Sequence, residues 1–102
     1  MYGTIMRARA QRGARQGIEH AIAALAESGD TPEGFHCSEL AWEAADPERL
    51  VLIVHFRDRA TYLANAASPD QDARYQQMRQ YLEGEPEWID IHYAGYQGQP
   101  LP

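Results

Sequence analysis

Alternating apolar and polar side chains predict a first β-strand over residues 2–9, where the even-numbered positions form one face. Similar patterns, bounded by turn-forming residues, predict a second strand over residues 35–44 and a last strand over residues 87–94. Residues 49–56 (RLVLIVHF) are almost continuously apolar or β-branched, which is typical of a strand buried on both faces. The pattern therefore predicts four strands.

A helical pattern separates the first two strands. Ile18, Ala21, Ile22 and Leu25 follow the i, i+3, i+4, i+7 spacing, which predicts an amphipathic helix over residues 14–28 with one face on a core. The glycine that follows this helix is expected to end it, because glycine adopts the left-handed conformation readily.

Two more helices are predicted between the third and fourth strands. A short helix covers residues 58–66 and is capped by its first residue, and a longer helix covers residues 69–83. Ser68 caps the longer helix, and Gln71, three residues later, completes an S-x-x-Q capping box. Gly84 is expected to end this helix in the left-handed conformation.

The element order β-α-β-β-α-α-β predicts an α+β, ferredoxin-like fold with a four-stranded antiparallel sheet and helices on one face. We expect a single domain over residues 1–96 and a flexible C-terminal tail over residues 97–102. The sheet face without helices carries apolar side chains, and a large apolar patch is unfavourable when it is exposed to water. The chain is therefore expected to form a homodimer in which two sheets face each other.

The composition limits which kinds of binding partner and which cellular location are expected. The 102 residues carry a net charge of −6, and all nine basic residues are arginines, so neither nucleic acid nor an anionic membrane is an expected partner. No apolar run approaches the ~20 residues of a membrane span. The single cysteine, Cys37, allows no internal disulfide, which favours the cytoplasm. We interpret Cys37 as a small buried side chain in a strand, with a reactive thiol as the alternative.

Several segments together resemble the antibiotic-biosynthesis-monooxygenase family, whose members are dimeric α+β barrels. The resemblance covers nearly the whole chain, from Tyr2 to about Tyr93. The segments that carry it are Arg12-Gly13, Phe56-Arg57-Asp58, Tyr62-x-Ala64-Asn65-Ala66-x-Ser68-Pro69 and Pro86-Glu87-Trp88. The superfamily includes cofactor-free quinol oxygenases, haem-degrading enzymes and isomerases, so the resemblance implies the fold more specifically than the reaction.

The chain also departs from better-known members of that family. Haem-degrading members combine a strand-one asparagine with a helix tryptophan and a helix histidine, whereas residues 58–83 contain neither of the latter two. Polyketide oxygenases of the family pair an asparagine with a tryptophan one helical turn later, but here Pro69 follows Asn65 at that spacing. We therefore expect no haem, and the sequence contains no glycine-rich phosphate loop of the kind that flavin and nicotinamide sites usually need, so no other cofactor is expected.

The histidines do not have the spacing of a metal site. His36 and His55 lie on adjacent predicted strands and are expected to be neighbours, but no H-x-H or H-x-x-x-H motif occurs. Metal binding is therefore not expected. His55 and His92 are instead candidates for a general base, because histidine titrates near neutrality.

Asn65 is the polar residue that most needs an explanation, because asparagine is a poor helix former. Two hypotheses remain open: Asn65 is a pocket donor that binds an oxyanion or carbonyl, or it stabilises a helix end near Ser68. The helical stripe of Tyr75, Met78 and Leu82 also has two interpretations, as core or as the lining of a cavity.

The resulting functional hypothesis is a cofactor-independent monooxygenase, or a related tailoring enzyme, acting on a small phenolic or quinol-like aromatic substrate. The alternative is a non-catalytic small-ligand-binding or housekeeping dimer of the same fold. Catalytic candidates are Asn65, His55 and His92, and ligand-binding candidates are Tyr62, Tyr75, Met78, Arg79 and Phe56.

Overall fold

The structure is a computed structural model that describes residues 1–95 and residue 98. Its elements follow the predicted order β-α-β-β-α-α-β. They are β1 (Tyr2–Ala10), α1 (Arg15–Ser28), β2 (Phe35–Trp42), β3 (Arg49–Phe56), α2 (Arg59–Ala66), α3 (Pro69–Arg79) and β4 (Leu82–His92). The expected boundary between a domain and a tail, at residues 96 and 97, lies outside the described residues.

The four strands form one antiparallel sheet in the order β2-β3-β1-β4. In the centre of the sheet Met6 is opposite Leu52 on one side and Trp88 on the other, so these three side chains share a face. This face carries the core, where Met6 and Leu52 pack with Ile18 of α1 and Met78 of α3. The predicted α+β, ferredoxin-like architecture with helices on one face is therefore confirmed.

The other face of the sheet is apolar at its centre. Ile5 is in register with Ile53 on one side and Ile89 on the other, and Ile89 is 42% exposed. These isoleucines point away from the core, because side chains alternate between the two faces of a strand. The open face is therefore the surface on which the homodimer prediction rests.

Most helix boundaries agree with the sequence. Gly29 ends α1 with φ of 68°, Asp58 accepts a hydrogen bond from the Thr61 amide at the start of α2, and Ser68 caps α3. Asp58 and Ser68 accept hydrogen bonds from backbone N–H groups in the first turn of their helices, and Gly29 adopts the left-handed conformation that ends a helix, as their residue types predict.

The end of α3 differs from the prediction. The helix stops at Arg79 rather than residue 83, and Leu82, which is only 2% exposed, begins β4 within the core. Gly84 has the expected positive φ, 73°, but it lies in β4, where the pairing with β1 changes register. Burial of Leu82 in the sheet outweighs the helix-forming sequence around it, and the glycine permits a β-bulge instead of a helix end.

Candidate functional site

A cavity of about 680 Å³ lies between the helices and the core face of the sheet. Its sheet wall is made by Leu52, Val54 and Phe56, and its helix wall includes Ile22 and Met78. Exposed residues such as Ala26, Thr31 and Asp72 are also in the lining, so the cavity reaches the surface. A second cavity, of about 480 Å³, is lined by Met1, Gly34, Phe35, His36 and Arg57. The first has the size and the mainly apolar lining that suit a small aromatic ligand.

Trp88 and Tyr75 form an aromatic wall of the large cavity. Their ring centroids are 5.7 Å apart at an interplanar angle of 58°. Trp88 is 46% exposed and lines the cavity. Trp88 shares the helix face of the sheet with Met6, and its strand β4 is at the edge of the sheet.

Three polar side chains form a closed cluster in the cavity lining. Arg74 donates from Nη2 to Asn65 Oδ1 at 3.2 Å and from Nε to Gln71 Oε1 at 3.4 Å. Asn65 Nδ2 donates to the same Gln71 oxygen at 3.3 Å. All three residues are half-buried. The cluster therefore joins the end of α2 to the first turns of α3.

The break between α2 and α3 explains why this cluster forms. Ser68 Oγ accepts the Gln71 amide at 3.1 Å, which is the half of the predicted capping box that is present. The other half, a hydrogen bond from the Ser68 backbone N–H to the Gln71 side chain, is absent. The Gln71 side chain instead accepts hydrogen bonds from Asn65 and Arg74, and the Ser68 N–H donates to the Asn65 carbonyl at 2.9 Å. The Asn65 backbone thus supports the turn, and its side-chain amide is directed to the cavity lining.

Arg74 brings a positive charge into this lining. It takes part in none of the ion pairs found within the described residues, although six other arginines do. Its bonds to Asn65 and Gln71 occupy two of the five guanidinium N–H donors, which leaves others available for a ligand. A half-buried guanidinium without a carboxylate partner favours an anion.

Tyr62 of α2 is also in the cavity lining and carries a hydroxyl group. Its OH donates to Asp90 at 2.9 Å, and its ring packs 5.1 Å from Tyr2 and 5.7 Å from Phe56. Burial raises the pKa of the Tyr62 hydroxyl, and the Asp90 carboxylate raises it further. Tyr62 therefore stays protonated at neutral pH and acts as a hydrogen-bond donor rather than as a base.

Not all of the residues predicted from the sequence meet in this cavity. Those that do are Asn65, Tyr62, Tyr75, Met78 and Phe56. Arg79 is not in the lining; its guanidinium donates to the Leu82 carbonyl and to Glu85.

The two candidate bases lie elsewhere. His55 is on the open face of the sheet against Glu39 and Tyr93, and the His92 ring packs edge-on against Tyr2 at 4.8 Å. Neither histidine is part of the cavity lining. Two carboxylates, Asp30 and Asp72, are in that lining and are better placed to take a proton from a bound molecule.

Sequence reasoning did not assign Gln71, Arg74 or Trp88 to a site. Gln71 and Arg74 are three residues apart, which places them on one face of α3, directly after Asn65 in the chain. That spacing could have indicated a shared polar site, but a capping role for Gln71 explained the presence of this residue equally well. Cys37 is half-buried in β2, and burial raises the pKa of its thiol, which argues against an activated nucleophile.

Residues 1–77 match the family model of antibiotic biosynthesis monooxygenases, and these residues hold β1 to β3, α2 and the cluster around Asn65. The chain belongs to the antibiotic biosynthesis monooxygenase family. The comparison with curated proteins gave no match.

Solved structures of this family share the fold. One of them is SnoaB, a cofactor-independent oxygenase from Streptomyces nogalater, which was solved as a variant with an asparagine replaced by alanine. Its sequence is 17% identical to this chain, and the two structures align with a TM-score of 0.79 over 96% of this chain and 97% of SnoaB. A proposed antibiotic biosynthesis monooxygenase from Nitrosomonas europaea is 17% identical, with a TM-score of 0.76 over 93% and 100% of the two chains. One from Bordetella bronchiseptica is 16% identical, with a TM-score of 0.79 over 91% and 96%. At these identities the likeness shows the fold alone. None of the helices in the described part of this family member is long and apolar enough to cross a membrane.

Proposed function

We propose that this protein is a cofactor-independent monooxygenase whose large cavity binds a small phenolic or quinol-like substrate as its phenolate. The observation that carries the proposal is the Arg74 guanidinium, held by Asn65 and Gln71 in a cavity that is otherwise mostly apolar. A phenolate has the matching combination of one charged oxygen and a flat apolar ring.

The substrate ring would lie against Trp88 and Tyr75, where aromatic faces favour offset or tilted packing. Its oxygen would meet an N–H of Arg74 or the Asn65 amide. A fixed positive charge stabilises the phenolate relative to the phenol and so lowers the pKa of the bound substrate. Asp30 or Asp72 at the cavity lining would accept the released proton.

The chemistry then needs no electrons beyond those of the substrate. A phenolate carries negative charge at the ring carbon para to its oxygen, and this carbon forms a C–O bond with O₂ to give a hydroperoxide after protonation. Loss of water breaks the O–O bond and removes the ring hydrogen, which leaves a quinone. The ring loses four electrons and O₂ gains four, with one oxygen atom in the quinone and the other in water.

The comparisons support this proposal at the level of the family. SnoaB is described as a cofactor-independent oxygenase, and its structure was solved with an asparagine replaced by alanine. Arg74 and Asn65 both lie in the part of this chain that the family model matches. We also propose that the protein acts as a homodimer in the cytoplasm, since the apolar open face of the sheet needs a cover and the one cysteine forms no internal disulfide.

Oxygen uptake tests the proposed function. The purified protein should consume O₂ with 1,5-dihydroxynaphthalene, which has a hydroxyl group and a free para position, and should convert it to the corresponding hydroxynaphthoquinone. Arg74→Gln should lower the rate by about 10²-fold, because the charge that stabilises the phenolate is lost, and Arg74→Lys should restore part of it. Arg59→Gln, at an exposed position outside the cavity lining, is the matched control. Equal rates for the wild type and Arg74→Gln would contradict the proposal, and tight binding without O₂ uptake would favour a ligand-binding protein.

A further inference from the structure

Three side chains of types that can ligate metals meet on the open face of the sheet. Cys37 and Glu39 are two residues apart on β2, so their side chains point to the same face, and His55 on β3 is the register partner of Cys37. One ligand atom from each of these residues lies within 4.8 Å of the other two. The cluster is thus built by strand pairing rather than by a loop.

The sequence predicted a different neighbour for His55. His36 was expected beside it, but the pairing of β2 with β3 shifts register between Phe35 and Cys37. This bulge leaves His36 without a direct partner in the ladder and sets Cys37 opposite His55. Instead of the predicted pair of histidines, the structure therefore brings together a thiol, an imidazole and a carboxylate.

The cluster is ordered by contacts of its own. His55 Nε2 lies 2.5 Å from Glu39 Oε1, and the Tyr93 ring stacks on the imidazole at 5.0 Å with an interplanar angle of 28°. The Tyr93 hydroxyl is 3.5 Å from the same nitrogen. The His55 side chain is 14% exposed, so the stack and the strands restrict its rotamers. Little conformational entropy is left to lose when a metal binds.

We propose that Cys37, Glu39 and His55 bind a divalent transition-metal ion of the Zn²⁺ class. Thiolate, imidazole and carboxylate are all Zn²⁺ ligands, with bond lengths of about 2.0–2.3 Å, and ligand atoms already within 4.8 Å of one another can close around such an ion with small side-chain shifts. Three protein ligands leave a fourth tetrahedral position for water or for a group brought by another chain. A hard cation such as Mg²⁺ is disfavoured by the thiol and the imidazole.

Binding would replace protons by the metal. Cys37 loses its thiol proton, and the nitrogen of His55 that faces Glu39 gives up its hydrogen bond to coordinate the ion. No oxidation or reduction is involved. The ion would hold the edge strand β2 to β3 on the face where the homodimer is expected.

Co²⁺ is a direct probe, because a thiolate bound to Co²⁺ gives a near-ultraviolet charge-transfer band. The chain has one cysteine, so such a band can come only from Cys37. Titration of the reduced, untagged protein should show this band, together with the visible bands of tetrahedral Co²⁺, and saturate at one ion per chain. Added Zn²⁺ should abolish both, because Zn²⁺ binds such sites more tightly.

Variants separate this site from adventitious binding. Cys37→Ser should remove the band, and His55→Gln and Glu39→Gln should each weaken Co²⁺ binding by more than about 10²-fold, since even outer partners of metal ligands contribute 10–100-fold. His20→Gln, an exposed position on α1, is the control and should bind as the wild type does. The far-ultraviolet circular dichroism spectrum checks that each variant is folded.

Absence of the band in folded wild type at millimolar Co²⁺ would overturn the proposal, and so would unchanged affinity in folded His55→Gln. If Cys37→Ser does not fold, protection of Cys37 from iodoacetamide by Zn²⁺ in the wild type decides the matter. Slower alkylation supports the site, and an unchanged rate refutes it.

Discussion

Arg74 Nη2 lies 3.2 Å from Asn65 Oδ1, a hydrogen bond that crosses the break between α2 and α3. The bond orients the asparagine amide, because its oxygen faces the guanidinium and its nitrogen faces Gln71. It also holds the guanidinium at the cavity lining, where it has no carboxylate partner among the described residues. The two hypotheses for Asn65 therefore make different predictions about the same substitution.

Asn65→Ala should lower turnover of a dihydroxyaromatic substrate by about 10²-fold, because a donor to the phenolate is lost and Arg74 loses its support. Steady-state oxygen consumption measures this effect. Ser68→Ala is the matched control, since it removes the cap of α3 and should destabilise the protein by about 1 kcal/mol while turnover is retained. If Asn65→Ala only lowers the melting temperature and leaves oxygen uptake intact, Asn65 belongs to the helix break and not to the site.

Alkaline pH should destabilise the protein through its half-buried tyrosines. Burial raises the pKa values of Tyr62, Tyr75 and Tyr93. The folded state then keeps protons that the unfolded chain releases near pH 10, so the stabilisation is complete below about pH 10 and is lost as the pH rises through the folded pKa values.

Urea denaturation at pH 8 and pH 10.5 should therefore give a lower free energy of unfolding at the higher pH. In Tyr62→Phe the decrease should be smaller, because one of the three groups no longer titrates. A decrease as large as that of the wild type would show that Tyr62 does not contribute.

The open face of the sheet predicts a stable dimer. Static light scattering at micromolar concentration should give twice the chain mass of 11.5 kDa. Ile53→Glu places a charge at the centre of this face and should yield monomers, because a buried unpaired carboxylate is unfavourable. Leu63→Glu, at an exposed position on α2, should remain dimeric. A monomeric wild type would refute the prediction.

The sequence predicted the elements that depend on strong local signals. The continuous apolar run of β3 and the caps at Asp58 and Ser68 are each decided by a few neighbouring residues, and all three are as expected. The end of α3 depended on a distant contact instead. Leu82 continues the helical stripe of Met78 in the sequence, but its burial against Ala10 in the sheet decides its conformation.

The site was predictable only in part for the same reason. Asn65, Tyr62 and Tyr75 lie close together in the chain, and their shared cavity follows from two adjacent helices. Trp88 reaches that cavity from β4, so its role depended on strand order. His55 is not in the cavity lining because its side chain lies on the opposite, open face of the sheet. Its contact with Glu39 depends on the register between β2 and β3, which a bulge shifts by one residue.

The source of the oxygen atom in the product tests the central claim most directly. The wild-type protein is incubated in the dark with 1,5-dihydroxynaphthalene under ¹⁸O₂, and the quinone is reduced at once so that its label does not exchange with water. Mass spectrometry should find one ¹⁸O atom per product molecule, formed much faster than with Arg74→Gln, because Arg74 stabilises the phenolate that reacts with O₂. Product without ¹⁸O, or labelled product formed at the same rate by Arg74→Gln, would contradict the account.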